Sequence, residues 1–465
     1  TLQARGVGAS FPALAATADL AISGLHVADM RLGTVSVQGS VANQTAHMSG
    51  ELTGSVGHAT WQAEFGLPEP SRYELSFAAD HLSLSEVAAG QESLAGELNI
   101  SGALQGTGFD LPSMHTQAEL TIQPSRIGPV QITHGRFMAQ IADGRIHLSE
   151  GTLITPDASV NIEGELGTRL EEIGQLSYAL QVDRLAPWLA LAGQDGSGHI
   201  GLKGTATGSL ANLQTQGTLS AKALELAGVT LPNAAIQFQA TELGQAQPQA
   251  TVNIGLSDLH AGLALQSVEA DIQLLPAQAA NTHRVRIGLK AQEKHAPQRR
   301  HHLQAEVLAQ PDQINAHLQE LSLSLPIGIW QLGQPVTLQS QPSGLTIDRF
   351  VLTNQAQQNQ QIVLHGSVTS TGAQDVQLQI TDFSLANLKD VLPAQPEISG
   401  IFSADLQLAG TAGAPNLSAE ASLDALEIAG QAYQGLKTRL NYQQKKASLE
   451  LTFQQDASHA LQASG

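Results

Sequence analysis

The strongest constraint on this chain is an alternation of apolar and polar residues that recurs along its whole length. Leu98 and Ile100 stand on either side of Asn99, and Val160 and Ile162 are separated in the same way. Successive side chains of a β-strand point to opposite faces of a sheet, so each run predicts a strand with one apolar and one polar face. The polar partners are mostly Gln, Ser, Thr and Asn. The alternation predicts an all-β chain.

The segments between these runs are short and rich in turn residues. Asp143-Gly144 and Asp195-Gly196 are examples, and such dipeptides indicate tight connections. Parallel strands need long crossovers, whereas antiparallel strands can be joined by two residues. We recognise no crossover helix, so the strands are predicted to be antiparallel.

The sequence also repeats with a period much longer than one strand. The segment 223–228 (Ala-Leu-Glu-Leu-Ala-Gly) recurs as 425–430 (Ala-Leu-Glu-Ile-Ala-Gly). Asp80, Asp183 and Asp382 each precede a short apolar stretch of helical spacing, the third reaching Leu392, and each stretch is followed by a strand led by glycine: Gly96, Gly198 and Gly400. We expect a repeat of about 100 residues with one short helix per repeat, each Asp capping its helix. The approximate boundaries are 1–95, 96–197, 198–299, 300–399 and 400–465, with the copy near 280–330 strongly diverged.

The number of strands limits the architecture. At about 10–11 residues per strand and turn the chain would form about 40 strands, or roughly 190 Å of sheet. Open sheets seldom exceed about ten strands without curling or splitting. One solution is a series of separate sandwiches. The other, favoured by the lack of Pro-rich or charged linkers, is one elongated, repetitive antiparallel sheet curled into a U-shaped hydrophobic groove (a β-taco).

The alternating aliphatic residues are the candidate lining of this groove. A trough of aliphatic side chains suits a hydrocarbon tail, with about 25 cal/mol per Å² of apolar area covered. The candidate lipid-contacting residues are Leu98, Ile100, Val160, Ile162, Ile200, Leu202, Val285, Ile287, Leu289, Leu321, Leu323, Leu325, Val376, Leu378, Ile380, Phe402, Leu406, Leu408, Leu449, Leu451 and Phe453.

Composition excludes several functional classes. The formal net charge is −19, and nucleic-acid binding needs clustered Lys and Arg, so we expect no nucleic-acid partner. The short basic cluster from Arg284 to His302 is interpreted as a solvated loop. The chain has no Cys, and no apolar run reaches the ~18 residues of a membrane span.

The sequence offers no catalytic, cofactor-binding or metal-binding set. The segment 196–201 matches GxGxxG, but a strand follows it where a dinucleotide site requires a helix. His301 and His302 are adjacent, so on a strand they would point to opposite faces, and with His295 they form no recognisable ligand set. Nucleophile-elbow, HExxH and phosphate-loop motifs are absent from the sequence. We expect a protein that is not an enzyme.

The repeated signature resembles the repetitive middle region of TamB-like proteins, within the wider AsmA-like group of bacterial envelope proteins. The clearest stretch runs from Gly400 to Tyr442 and contains Gly410-Thr411-Ala412. The resemblance implies a long periplasmic β-groove, anchored in the inner membrane of a Gram-negative bacterium by a helix outside this segment. It also implies a partner barrel of the Omp85 type (TamA-like) in the outer membrane, contacted through parts missing here.

Two functions therefore compete at this stage. The first is a periplasmic bridge that binds phospholipid acyl chains, conducts phospholipid between the two membranes and contributes to outer-membrane biogenesis. The alternative is a structural or chaperone-like scaffold that binds outer-membrane protein strands during assembly or secretion, since a trough with free strand edges can add a client strand. Because the chain starts at Thr1 without Met, we expect it to be part of a longer protein.

Overall fold

A computed structural model describes residues 1–8, 14–27, 30–66, 71–87, 95–111, 113–276, 281–370, 372–388, 398–456 and 458–465. The described residues are almost entirely antiparallel β-structure, which confirms the predicted fold class. They form two compact units, unit 1 (Thr1–Ala246) and unit 2 (Gln247–Gly465). Each unit is described by itself.

Unit 1 consists of strands and two short helices. The strands are β1 (Leu2–Val7), β2 (Ala15–Val27), β3 (Met30–Ala42), β4 (Thr45–Gly54), β5 (Gly57–Gly66), β6 (Arg72–Ser83), β7 (Gly96–Thr107), β8 (His115–Ile122), β9 (Ser125–Ile127), β10 (Val130–Ile132), β11 (His134–Ala142), β12 (Arg145–Ile154), β13 (Ala158–Gly167), β14 (Gly174–Val182), β15 (Gly196–Ser209), β16 (Asn212–Leu226) and β17 (Val229–Leu243). The helices are α1 (Leu84–Val87), after β6, and α2 (Ala186–Leu191), after β14.

Pairing in unit 1 follows chain order with one branch. Consecutive strands pair antiparallel from β1 to β7. β7 pairs with both β8 and β9, β9 forms a hairpin with β10, and β8 pairs with β11. Consecutive pairing then continues to β17. A single parallel bridge joins Gly167 to Ser209.

Unit 2 has the same organisation. Its strands are β18 (Gln249–Ala261), β19 (Leu263–Leu275), β20 (His283–Glu293), β21 (Arg300–Gln310), β22 (Gln313–Ser324), β23 (Ile329–Leu332), β24 (Val336–Gln341), β25 (Gly344–Asn354), β26 (Gln361–Thr369), β27 (Ala373–Ser384), β28 (Ile398–Thr411), β29 (Ala414–Ile428), β30 (Gln431–Ala432), β31 (Gly435–Gln443), β32 (Lys446–Gln454) and β33 (Ala460–Ser464). A short 3-10 helix, Leu385–Leu388, follows β27.

Pairing in unit 2 also follows chain order, with two branches. The strands β18 to β22 pair consecutively, and β22 and β25 are both bonded to the short strands β23 and β24. Consecutive pairing continues from β25 to β29, which bonds to both β30 and β31, and then through β32 to β33.

The strands are longer than the sequence estimate assumed. The described residues form 33 strands, fewer than the predicted 40, because strands such as β16, β17 and β29 reach 15 residues. Long strands persist here because β-bulges absorb irregular positions without ending the ladder.

The repeated hexapeptide has one structure at both places. Ala223 and Ala425 have positive φ and form a bulge opposite the strand led by glycine, where the register shifts. The final Ala-Gly pairs, 227–228 and 429–430, have positive φ at both residues and join two strands through a two-residue loop, as in a type I′ turn. The sequence repeat is therefore a structural repeat of bulge and hairpin.

The three helical segments recur at related positions, at 84–87, 186–191 and 385–388. The predicted extension of the third to Leu392 lies outside the described residues. The predicted Asp caps are wrong: the N-cap of α2 is Leu185, without a side-chain cap bond, and Asp80 and Asp382 lie within strands β6 and β27. The helical segments therefore begin later than the sequence pattern suggests, because β6 continues to Ser83 and β27 to Ser384, and α2 begins at Ala186.

Each helical segment reaches back over strands that precede it. α1 contacts β3, although β4 and β5 separate β3 from the strand before the helix, and α2 contacts β10, which is bonded to neither β14 nor β15. In unit 2 the backbone N–H of Ile327 donates to Oδ1 of Asn387 in the 3-10 helix, at 2.9 Å. Contacts across several strands require the sheet to curve toward the helix. The helices therefore lie on a concave side.

One cluster of buried apolar side chains lies against a helix. Ala158, Val182 and Leu185 form this cluster, with Trp188 and Leu189 of α2 packed against it. Away from the helices the alternating aliphatic residues are mostly only half-buried. A closed sandwich would cover such residues completely, so most of this apolar face lacks a second layer.

Candidate functional site

In unit 1 an unbroken row of apolar residues crosses the sheet, each directly paired with the next across neighbouring strands. From β2 to β17 the row reads Ile22, Val35, Leu52, Ala59, Ala79, Ile100, Ile122, Gly135, Leu153, Val160, Leu180, Leu202, Leu219 and Ile236. Cross-strand pairs lie about 5 Å apart. The row is a continuous apolar strip running perpendicular to the strands.

Unit 2 has a row of the same kind. From β18 to β32 it reads Ala250, Leu274, Val285, Val307, Ala316, Leu338, Ile347, Gly366, Val376, Leu408, Leu417, Tyr442 and Ala447. We call the face that carries these two rows, in each unit, the apolar face. Neither row contains a charged side chain.

The residues predicted from sequence to line a groove lie along this face. Nearly all lie within strands; Leu325 follows the end of β22. They meet directly across the sheet: Leu378 pairs with Leu364 on one side and Leu406 on the other. All are half-buried except Leu449, of which 45% is exposed.

Sequence reasoning missed the intervening members of the rows. Leu180, Leu219, Ile236 and Leu417 complete them and carry the same alternation signal, so a systematic scan would have found them. Small residues such as Ala59 and Gly135 could be placed only by the strand register.

Charged groups lie mainly on the opposite, polar face. There Glu420, Arg439 and Glu450 pair across three strands, and Nε of Arg439 donates to Oε1 of Glu420 at 2.7 Å. Arg284 donates to both carboxylate oxygens of Glu306, at 2.7 and 3.0 Å. This hydrogen bond lowers the pKa of Glu306 below its ordinary value. These side chains form cross-strand ion pairs, the usual stabilising pairs of an exposed sheet face.

Shallow hollows lie on the described part of the polar face. One lies over β2–β6 and includes Asp19, Gln38 and Glu64, and another lies over β27–β32 and includes Asp405, Glu420 and Arg439. Their linings are mainly polar side chains of neighbouring strands, mixed with a few apolar ones such as Met48 and Ile380.

The GxGxxG segment and the neighbouring histidines are parts of strands and their ion pairs. The GxGxxG segment 196–201 is the start of β15. His301 faces Glu293, with Nε2 3.2 Å from the carboxylate, while His302 lies near Glu320. Within the described ranges no group of His, Cys, Asp or Glu could hold a metal ion. Nor does any helix there have the length and apolarity to cross a bilayer.

A family assignment agrees with this geometry. The chain matches the family model described as TamB, N-terminal domain, over residues 23–464. The chain belongs to the TamB family. TamB-family proteins are non-enzymatic proteins of the bacterial envelope, and the family implies partnership with TamA in the translocation and assembly module. A search of curated proteins gives no match, and a search of solved structures gives none either.

Proposed function

We propose that the apolar face of this TamB-family chain holds phospholipid acyl chains and conducts phospholipid between the inner and outer membranes. The supporting observation is the unbroken row of apolar residues in each unit, most of them half-buried aliphatic side chains. Alkyl chains need non-directional contact with an apolar surface, and each buried methylene contributes about 0.8 kcal/mol. An uninterrupted row offers such contact from each of its strands to the next, so an acyl chain could advance along the row without crossing a charged position.

The proposal includes the cellular setting. We place the chain in the periplasm, in a parent protein anchored in the inner membrane, with a TamA-like barrel as partner through parts outside this segment. We also propose one continuous groove built from repeats of about 100 residues. The contribution to outer-membrane biogenesis would then follow from the supply of lipid.

The test compares charges introduced on the two faces of the same strands. Leu378→Asp and Leu406→Asp place carboxylates on the apolar face of one cross-strand pair, whereas Gln377→Asp and Gln407→Asp place them on the polar face of the neighbouring pair. We expect phospholipid to copurify with the wild type and the polar-face variants, and native mass spectrometry to show its loss from the apolar-face variants. Circular dichroism checks the fold of each.

A lipid-free wild type in repeated mild-detergent preparations would contradict the proposal. The alternative client is an outer-membrane protein strand, whose apolar side chains could occupy the same face. Site-specific crosslinks from Leu378 to nascent barrel proteins, in protein that carries no lipid, would favour that scaffold function.

A further inference from the structure

The apolar face of unit 1 contains aromatic residues placed beside glycines of the neighbouring strand. In each case a Cβ built on the glycine would overlap the aromatic ring or its hydroxyl. The pairs are Trp61 with Gly50, Phe77 with Gly102, Tyr178 with Gly204, and Phe238 with Gly217. Each ring therefore lies over a glycine backbone instead of beside another side chain.

These pairs belong to a second row, two residues along from the apolar row of unit 1. Trp61 follows Ala59 by two positions and Phe238 follows Ile236 by two, so both rings are on the apolar face. The four rings are all half-buried. They lie in the surface over which an acyl chain would pass.

Glycine is an unfavourable residue in the middle of a strand. It costs roughly 0.5–1 kcal/mol relative to Ala and often marks a close approach of another group. Here the approaching group is the ring. Side chains of a strand stand roughly perpendicular to the sheet, so an upright aromatic ring would project into the space above the apolar face. A ring that lies flat over a glycine leaves that space open.

We infer that Gly50, Gly102, Gly204 and Gly217 are clearance positions, which hold the aromatic rings against the sheet and so set the free width of the lipid groove in unit 1. The inference rests on the proposed function, because clearance matters only if a chain occupies the groove. Gly50 is the sharpest place to test it: the three atoms nearest its Cβ position all belong to the ring of Trp61, whereas Gly204 and Gly217 also approach backbone carbonyls.

The experiment introduces Val at Gly50 in the full chain. We expect Gly50→Val to push the indole away from the sheet, raising acrylamide quenching of Trp61 relative to a Trp61→Phe background, and to lower the phospholipid bound per protein in native mass spectrometry. The double variant Gly50→Val/Trp61→Ala removes the ring and should recover the wild-type lipid load. Gly39→Val is the matched control, because Gly39 lies on the apolar face of the nearby strand β3, four residues from Val35, and no atom is closer than 3.9 Å to its Cβ position.

The outcomes separate the two proposals. A wild type without lipid refutes the proposed function. A lipid-loaded wild type whose Gly50→Val variant keeps its full load, or whose double variant loses as much as the single one, overturns the clearance inference. If Gly50→Val does not fold, the variant Trp61→Ala tests the clearance inference by itself. It should bind at least as much phospholipid per protein as the wild type, and a smaller amount overturns the inference.

Discussion

At the scale of single residues, Asn354 shows how one buried amide organises an irregular part of unit 2. Its side chain is 0% exposed. Its Nδ2 donates to the carbonyl of Ile327 at 3.0 Å and to Oε1 of Gln360 at 2.7 Å, and its Oδ1 accepts from the N–H of Ala356 at 3.0 Å. It therefore ties the connection before β23 to the connection after β25, beside the fully buried Trp330.

Asn354→Ala should destabilise this region strongly. The change leaves several buried polar groups without partners, and each costs about 1–3 kcal/mol, so we expect a loss of roughly 3 kcal/mol in the free energy of unfolding. Urea denaturation followed by the fluorescence of Trp330, in a background with Trp61→Phe and Trp188→Phe, measures it. Asn359→Ala is the control, because Asn359 is exposed and donates only to Asp382; equal losses in the two variants would refute the argument.

At the scale of elements, the repeated hexapeptide changes the direction in which a side chain near the end of a strand points. The bulge at Ala223 adds one residue to β16, so that Leu224 packs against the buried cluster beneath α2. The corresponding Leu426, beyond the bulge at Ala425, is 4% exposed. The bulge thus turns the first Leu of the motif toward the core, as bulges elsewhere re-aim side chains.

The hairpin turns of this motif contain an alanine with a strained backbone conformation, which a substitution can relieve. Ala227 and Ala429 have φ of 48° and 50°, a region that costs a non-glycine residue about 1 kcal/mol or more, whereas Asn tolerates it and Asn-Gly is preferred in type I′ turns. We expect Ala227→Asn and Ala429→Asn each to stabilise the protein by about 0.5–1 kcal/mol. Thermal unfolding measures the change.

The same substitution in a strand is the control for this prediction. Ala235 is exposed in β17 and has an ordinary strand conformation, so Ala235→Asn should be neutral or destabilising, since Asn is disfavoured in strands. A uniform effect of Asn at all three positions would show that turn conformation is not the cause.

At the scale of the whole molecule, stability is local. Apart from the helical segments, the main contacts of each strand are with its hydrogen-bonded neighbours. In such quasi-one-dimensional proteins, stability is approximately a sum of nearest-neighbour terms. A local defect should therefore remain local.

Val182→Asp tests this locality inside unit 1. Val182 is buried beneath α2, and an unpaired charge there should open its surroundings. Hydrogen exchange should rise in β13–β15 and stay unchanged in β3–β5. Gln175→Asp, at an exposed position of β14, should change neither region. Faster exchange throughout unit 1 would indicate one cooperative core instead.

The class of structure and the residues of its apolar face can be predicted from the amino-acid sequence alone. Alternation depends only on the two-residue period of a strand, which is local, so runs such as Val376–Ile380 predict strand and face together. The repeat was also readable, because a bulge and a type I′ turn need particular residues at particular places. The Asp caps were not, because whether a strand continues past Asp80 or Asp382 depends on its neighbours.

Which residues meet across the sheet depends on the folded structure. Register is a relation between strands that can lie far apart in sequence, as when the oxygen of Tyr73 meets Thr116 across the sheet. The pairing of Trp61 with Gly50, the role of Asn354, and the reach of α2 to β10 all follow from register and curvature. A two-residue period specifies a side chain's face, while its neighbours on that face are set by the assembled sheet.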